Sequence, residues 1–413
     1  MTTTKNNEHK KVNFSSEREQ SQACLNSAEH EKNQGRKVLN VPNLRFPEFQ
    51  GEWKESTIGE MFDLYSGNTP SRFNKEHFKG AVNWISSGEL KEHYIYSSKE
   101  QISEEAAKSL KLLPVGTFVI AIYGLEAEGV RGTGSITQEP STISQACMSF
   151  IQKGEIGNEF LYSWYKKHGN VIGIRYAQGT KQQNLSYDIL EKFRIVYPKT
   201  KEQEKLNKLI SLLDERISTQ NKIIEDLKKL KSAISENLFK AVKGDVVILC
   251  EICEIIKGKQ INGEFLSEKG KYYVMNGGTE PSGYYSDCNV EANTISISEG
   301  GNSCGYVQFN SSPFWSGGHC YTIQKLAENV DNMYLYHYLK SKEDAIMKLR
   351  IGSGLPNIQK KDLAMFKIKL PNVEQQKSIS TFLSSLERKA EIEEIIQNAM
   401  LKEKQYLLQQ MFI

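Results

Sequence analysis

At 413 residues the chain is long enough for two or three domains, and with 38% hydrophobic and 25% charged residues it reads as a globular chain. No run approaches the 18 or so apolar residues of a membrane span, which excludes a spanning helix. The formal charge of +3 neither demands nor excludes nucleic acid, and 7 cysteines without regular spacing suit a reducing cytoplasm better than a disulfide framework.

Residues 1–40 are polar, mixed in charge and without apolar period or an h-region, so they predict a flexible tail and no signal peptide. Order is expected from Val41, where Leu44, Phe46, Phe49 and Trp53 stand among prolines that favour an extended segment, with those side chains as anchors. A first α+β domain is predicted over 41–198. Ser56–Tyr65 has a Ser start and helical spacing, closed by Gly67. Asn83–Ser86, Thr117–Tyr123, Ser144–Ile151 and Phe193–Tyr197 read as strands, the second apolar enough to be buried on both faces. Asn158–His168 reads as an aromatic-rich helix.

Residues 199–242 hold a heptad seam of Leu206, Ile210, Leu213, Ile217, Ile224, Leu227, Ile234 and Leu238, with Gln220 and Lys231 in the two vacant seam positions. Over Lys201–Phe239 this predicts an unbroken rod of roughly 58 Å, which needs a partner helix. A second domain is predicted over 243–371. There Leu249–Ile256 stands where Ile58–Tyr65 stood, Tyr273–Asn276 answers Asn83–Ser86, Thr294–Ser298 answers the strand at Thr117, and Met333–Lys340 repeats the aromatic helix. Residues 372–413 repeat the rod, with Ile379, Leu383, Leu386, Met400, Leu407 and Met411 on its seam. The copies align without a gap at an offset of 173, so Leu206 falls on Ile379, Asn184 on Asn357 and Pro198 on Pro371. The expected fold is therefore α+β, with two tandem α/β domains and two long helices that pair as an antiparallel coiled coil in a pseudo-twofold repeat. With Leu206 opposite Met411, Gln220 would face Gln397.

Phosphate-loop, dinucleotide, nucleophile-elbow and zinc-protease motifs do not occur, nor does the N-P-P-aromatic or D-P-P-aromatic tetrapeptide of amino-methyltransferases. Cys250-x-x-Cys253 has metal-ligand spacing, with Cys288, Cys304, His319 and Cys320 downstream, but Cys253 takes the place of Phe62, which argues for a small core side chain. Glu52-x-Lys54 lacks the preceding strand carboxylate that a nuclease site needs. What remains is planar and polar recognition chemistry on loops. In the first domain it comprises Arg72, Asn74, Lys75, His77, Lys79, Arg131, Lys181, Gln182, Gln183 and Asn184. In the second it comprises Lys257, Lys259, Gln260, Asn262, Arg350, Asn357, Lys360 and Lys361. Arg and Lys fork onto guanine edges or phosphates, and Gln and Asn onto adenine.

The lead-in PNLRFPEFQGEW with STIGEMFDLYSGNTP, the closing GTKQQNLSYDILEKFRIVYPKTKEQEKLNKLISLLDERI, and its counterpart GSGLPNIQKKDLAMFKIKLPNVEQQKSISTFLSSLERKAEIEE together resemble the DNA specificity subunits of Type I restriction-modification systems. The resemblance runs from about Val41 to the end; the long tail before it departs from the family's compact start. It implies a non-catalytic, cytoplasmic reader of double-stranded DNA with a bipartite asymmetric site. The reader would assemble with two methyltransferase subunits and with restriction subunits, and the partners would hold the S-adenosylmethionine, ATP and magnesium. Two other readings are a coiled-coil scaffold with globular binding ends and a stand-alone DNA-modifying enzyme; binding to random duplex DNA, with and without methyltransferase partners, separates all three. Readers held by a paired rod predict an unread gap of roughly 5 to 8 base pairs between half-sites.

Overall fold

A computed structural model describes residues 39–127, 129–179, 183–352 and 356–413, so the tail expected over 1–40 lies almost wholly outside the described residues. The chain divides into two units. One ends at Thr219 and takes in Asn398–Ile413; the other is Gln220–Gln397. The division falls inside both heptad helices, so each unit's core includes part of each helix.

In the first unit β1 (Lys54–Thr57) pairs antiparallel with β10 (Arg194–Tyr197). A five-stranded sheet has the order β2 (Phe62–Ser66), β9 (Cys147–Gln152), β6 (Phe118–Ala121), β7 (Gly134–Thr137), β4 (Tyr94–Ile95), and a smaller sheet the order β5 (Glu100–Ile102), β3 (Val82–Ile85), β8 (Ser141–Ile143). Every residue of β6 is buried, as its unbroken apolar run requires of a central strand. Ser56–Tyr65 is not the single helix expected from its spacing. A one-turn helix, α1 (Ile58–Met61), is held by a capping box in which Glu60 N–H donates to Thr57 Oγ1 and Thr57 N–H donates to Glu60 Oε2. The chain then turns extended as β2, because Phe62–Ser66 pairs along its whole length with β9.

The aromatic helix α2 (Asn158–Tyr176) is longer than its pattern suggested and buries Phe160, Leu161, Tyr162, Trp164 and Tyr165. Long helix α3 (Thr200–Ala241) follows. Within the first unit Leu206 and Ile210 share one core with Leu408, Met411 and Phe412, while Asp214 pairs with Lys404, so the two helices run antiparallel there. Of the expected anchors, Trp53 is buried and Phe46 packs on the core. Leu44 is exposed and is held by its backbone, whose N–H donates to Gln410 O at 2.9 Å. The lead-in is fixed by Arg45, which forks onto buried Glu202 with both contacts at 2.7 Å.

The second unit repeats the plan. β11 (Asp245–Ile248) pairs antiparallel with β19 (Lys367–Leu370). A four-stranded sheet has the order β12 (Glu254–Lys257), β18 (Cys320–Gln324), β15 (Thr294–Ser298), β16 (Val307–Asn310), beside a smaller sheet of β14 (Tyr284–Tyr285), β13 (Tyr272–Met275) and β17 (Trp315–Ser316). Helix α4 (Leu249–Ile252) answers α1, α5 (Asn332–Ser341) answers α2, and α6 (Val373–Met411) answers α3. Cys253 is packed in this unit's core, with its thiol on Leu249 O.

Here too the long helices run antiparallel, since Lys231 meets Glu387 at 2.5 Å and Lys228 meets Glu394 at 2.6 Å. The facing pair of Gln220 and Gln397 is not formed. Gln220 Nε2 donates to Glu393 O and Oε2 at 3.0 and 2.6 Å, and Gln397 donates to Asn221 instead. A carboxylate is the stronger acceptor for a buried amide, and Glu393 lies within its reach. Each seam side chain, from Leu206 to Leu238 and from Ile379 to Met411, is buried or half-buried. No helix of the described residues is long and apolar enough to cross a membrane.

Candidate nucleic-acid interface

Strand register fixes where the candidate loops emerge. In the first unit Ser66 of β2 and Ile120 of β6 both pair with Met148 of β9, so β2 and β6 run parallel and their following loops leave the same end of the sheet. One loop carries Asn68 to Lys79; the other carries Arg131. In the second unit Lys257 of β12 and Ile297 of β15 both pair with Tyr321, which again sends two loops from one sheet end.

A third segment is laced to these loops in the same way in both units. Gln178 and Asn184 form a bridge, as do Ile351 and Asn357 at the repeat-equivalent positions. Leu185 N–H donates to Ile122 O and Ile358 N–H to Glu299 O, both at the end of the central strand. Leu125 N–H donates to Gln183 O, and Gly301 N–H to Pro356 O.

The first unit's candidate residues divide into engaged and available groups. Arg72 forks onto Glu100 at 2.8 and 2.7 Å and stacks over Phe78 and Trp84. That pairing lifts the guanidinium above its ordinary pKa and lowers the Glu100 carboxyl, so Arg72 is engaged within the protein although both side chains are about half exposed. Asn74 caps a short turn by accepting from Glu76 N–H, and Lys79 pairs with Glu76 at 2.7 Å. Lys75 is exposed, whereas His77 has a buried Nδ1 without a hydrogen-bond partner. Arg131 donates through Nη2 to Gln183 Oε1 at 3.3 Å, while its Nε and the Oδ1 of Asn184 are buried without partners. Lys181 and Gln182 lie outside the described residues.

In the second unit Lys257 pairs with Glu299 at 2.6 Å, and Tyr321 donates its hydroxyl to the same oxygen at 3.0 Å. The other oxygen of Glu299 is buried without a hydrogen-bond partner, and His319 Nδ1 lies 3.8 Å from it. Glu299 and Tyr321 escaped the sequence reading, because a carboxylate after a strand gives no sign of burial. Lys259 holds Ser316 O and Trp315 Nε1 through its backbone, leaving an exposed side chain. Gln260, whose side-chain amide donates to Ile261 O at 3.2 Å, and Asn262, which caps a turn by accepting from Glu264 N–H, are on the loop after β12. Arg350, Lys360 and Lys361 are exposed, and Asn357 bridges Gly300 as well as Ile351.

Two like units, each sending loops rich in Arg, Lys, Gln and Asn from one end of its sheet, define a duplicated recognition protein. The chain belongs to the family of Type I restriction modification DNA specificity domains, whose model matches residues 50–229 and again 242–402. It is 28% identical over 194 residues to the MjaIX specificity subunit of Methanocaldococcus jannaschii, a stretch covering 46% of this chain and 44% of that one. The S subunit of a Type I restriction-modification system from M. genitalium has the same fold, with a TM-score of 0.63 and 19% identity over 90% of this chain and 99% of that one. A chain from a structure of Type I complex assembly and conformational transition superposes with a TM-score of 0.54 and 16% identity, covering 90% of this chain and 98% of that one.

Proposed function

We propose that this chain is the non-catalytic, cytoplasmic DNA reader of a Type I restriction-modification complex, with each unit reading one half of a bipartite, asymmetric duplex site. The observation that carries this reading is the matched lacing of 183–185 and 356–358 onto the strand-end loops of the two units. Two methyltransferase subunits, and restriction subunits for cleavage, are the partners, and S-adenosylmethionine, ATP and magnesium belong to them. Methylome sequencing of a strain with and without the gene tests the assignment. A bipartite methylated motif should vanish with the gene, and an unchanged methylome would refute the reading.

Modularity gives a sharper test. Replacing both Arg131 and Gln183 by Ala should relax the half-site read by the first unit, at about 1 to 3 kcal/mol for each lost base contact, and leave the other half-site intact. Equal loss in both halves would rule out independent readers.

The helices are proposed to act as the spacer. Deleting Ile217 to Ile223 together with Ala390 to Ile396 removes about 10 Å from each helix, close to three base pairs of roughly 3.4 Å. The half-sites should persist while the preferred gap shrinks, and a gap of unchanged length would show that the helices are not the ruler.

A further inference from the structure

Phe73 is 101% exposed, so its ring stands wholly clear of the protein that carries it. Single apolar side chains on a surface are ordinary, but a bare phenyl ring on a braced turn is a costly arrangement. The brace is specific. Asn74 N–H donates to Ser71 O across the turn, and Asn74 Oδ1 receives Glu76 N–H. On the other side Arg72 is clamped to Glu100 and laid over Phe78 and Trp84, themselves packed edge to face. The backbone that carries the ring is thus held on both sides, while the ring itself stands clear.

The second unit makes the same provision with different residues. Its loop after β12 has the same Asn-capped turn, with Asn262 Oδ1 receiving Glu264 N–H, and it exposes Phe265 to 65%. The turns align as Arg72-Phe73-Asn74-Lys75-Glu76 and Gln260-Ile261-Asn262-Gly263-Glu264. The exposed ring therefore comes from before the Asn in one unit and from after it in the other. Both turns leave the sheet end from which the Arg131 and Glu299 loops emerge.

Resting on the DNA-reading assignment above, we propose that Phe73 is an apolar wedge that enters a base step of the first half-site, and that Phe265 does the same for the second. Intercalation needs a ring free over both faces, since the separated base pairs cover both, a condition that Phe73 meets outright and that Phe265, at 65% exposure, meets in part. A contact with a thymine methyl would need the ring edge alone. Lys75, exposed two residues away, is placed to meet a phosphate flanking that step.

The test uses the full chain assembled with its methyltransferase partners and a random-sequence duplex pool of about 40 base pairs. Selection with the wild-type complex yields the bipartite motif, and 2-aminopurine is then walked through each half-site. One step of the first half-site should brighten with wild type and stay dark with Phe73→Ala. That variant should bind the wild-type motif roughly 10- to 100-fold more weakly while melting like wild type, and Phe73→Trp should restore binding. Phe265→Ala should act in the second half-site alone. If wild type selects a motif that Phe73→Ala binds with equal affinity and an equal 2-aminopurine profile, the wedge is refuted and the reader stands. Loss of methyltransferase assembly without a change in DNA affinity would mark the ring as a protein contact and also refute it. Failure of the wild-type complex to select any motif would overturn the reader assignment and this inference together.

Discussion

Gln376→Leu is expected to destabilise the second unit by about 3 to 5 kcal/mol, more than its position in the first turn of a charged helix suggests. The side chain is 0% exposed, and all its hydrogen-bonding capacity is spent on backbone. Oε1 receives Asp331 N–H at 2.8 Å, and Nε2 donates to Asn329 O at 2.9 Å and Pro371 O at 2.8 Å. One amide thus ties the start of α5 and the end of β19 to the long helix. Leucine fills the space but leaves a buried donor and two carbonyls without it, at about 1 to 3 kcal/mol per unsatisfied group. Gln203, at the repeat-equivalent position, does the same work in the first unit, receiving Gly157 N–H at 3.1 Å and donating to Glu155 O and Pro198 O. Urea unfolding should therefore show Gln376→Leu weakening the transition of the second unit and Gln203→Leu that of the first. A loss below about 1 kcal/mol in both would mean that water replaces the amide.

These glutamines also mark the limit of what the sequence discloses. The heptad seam was legible because its period is a local property of the chain, and the repeat was legible because the copies align without a gap. Thr294–Ser298 could be read as a strand because it answers the strand at Thr117 in the repeat, and all five of its residues are buried in the middle of a sheet. Phe62–Ser66 could not, because Ile58, Met61, Phe62 and Tyr65 fit a helix equally well until β9 supplies a partner. Gln203 and Gln376 look like surface residues of a polar first turn, and only the tertiary approach of a second helix and a proline carbonyl makes them core. The polar candidate loops could be listed from the sequence, but which of their side chains are engaged within the protein could not. Whether an arginine is spent internally, as Arg72 is on Glu100, depends on a carboxylate 28 residues away. Phe73 was passed over because nothing in a sequence distinguishes a bare ring from a buried one.

Asp214→Asn should cost the first unit about 3 to 5 kcal/mol and should change how its stability depends on pH. His93 is buried, stacked between Tyr94 at 4.1 Å and Tyr162 at 3.9 Å, with Nε2 2.8 Å from Glu159 Oε2 and Nδ1 3.0 Å from Asp214 Oδ2. Asp214 also receives the Tyr162 hydroxyl at 3.2 Å and pairs with Lys404. Burial alone would push the His93 pKa down, but the carboxylates of Asp214 and Glu159 outweigh it and hold the imidazole above its ordinary value. Burial likewise pushes the Asp214 carboxyl up, and His93 with Lys404 brings it below its usual range. For a histidine raised in the fold, the stabilisation is complete below the unfolded pKa of about 6.5 and fades as pH rises through the folded value. For the lowered Asp214 it is complete above the unfolded pKa of about 3.9 and is lost as pH falls through the folded value. The second unit has a related trio, in which Glu387 receives Lys231 at 2.5 Å and the Tyr336 hydroxyl at 3.2 Å, but its histidine differs in kind. His337 faces Ser384 Oγ at 2.9 Å, and burial takes its pKa down to about 4. That histidine is neutral in the fold, so the second unit loses stability as pH falls from about 6.5 toward 4, where the unfolded chain takes the proton first. Burial likewise takes His168 of the first unit down to about 4. Melting the full chain between pH 4 and 9 should then show both units weakening on the acid side, and the first alone also losing the His93 contribution on the alkaline side. Asp214→Asn should abolish the alkaline loss and lower the His93 titration midpoint seen by NMR. A wild-type His93 midpoint below the ordinary value would show that burial prevails over the two carboxylates.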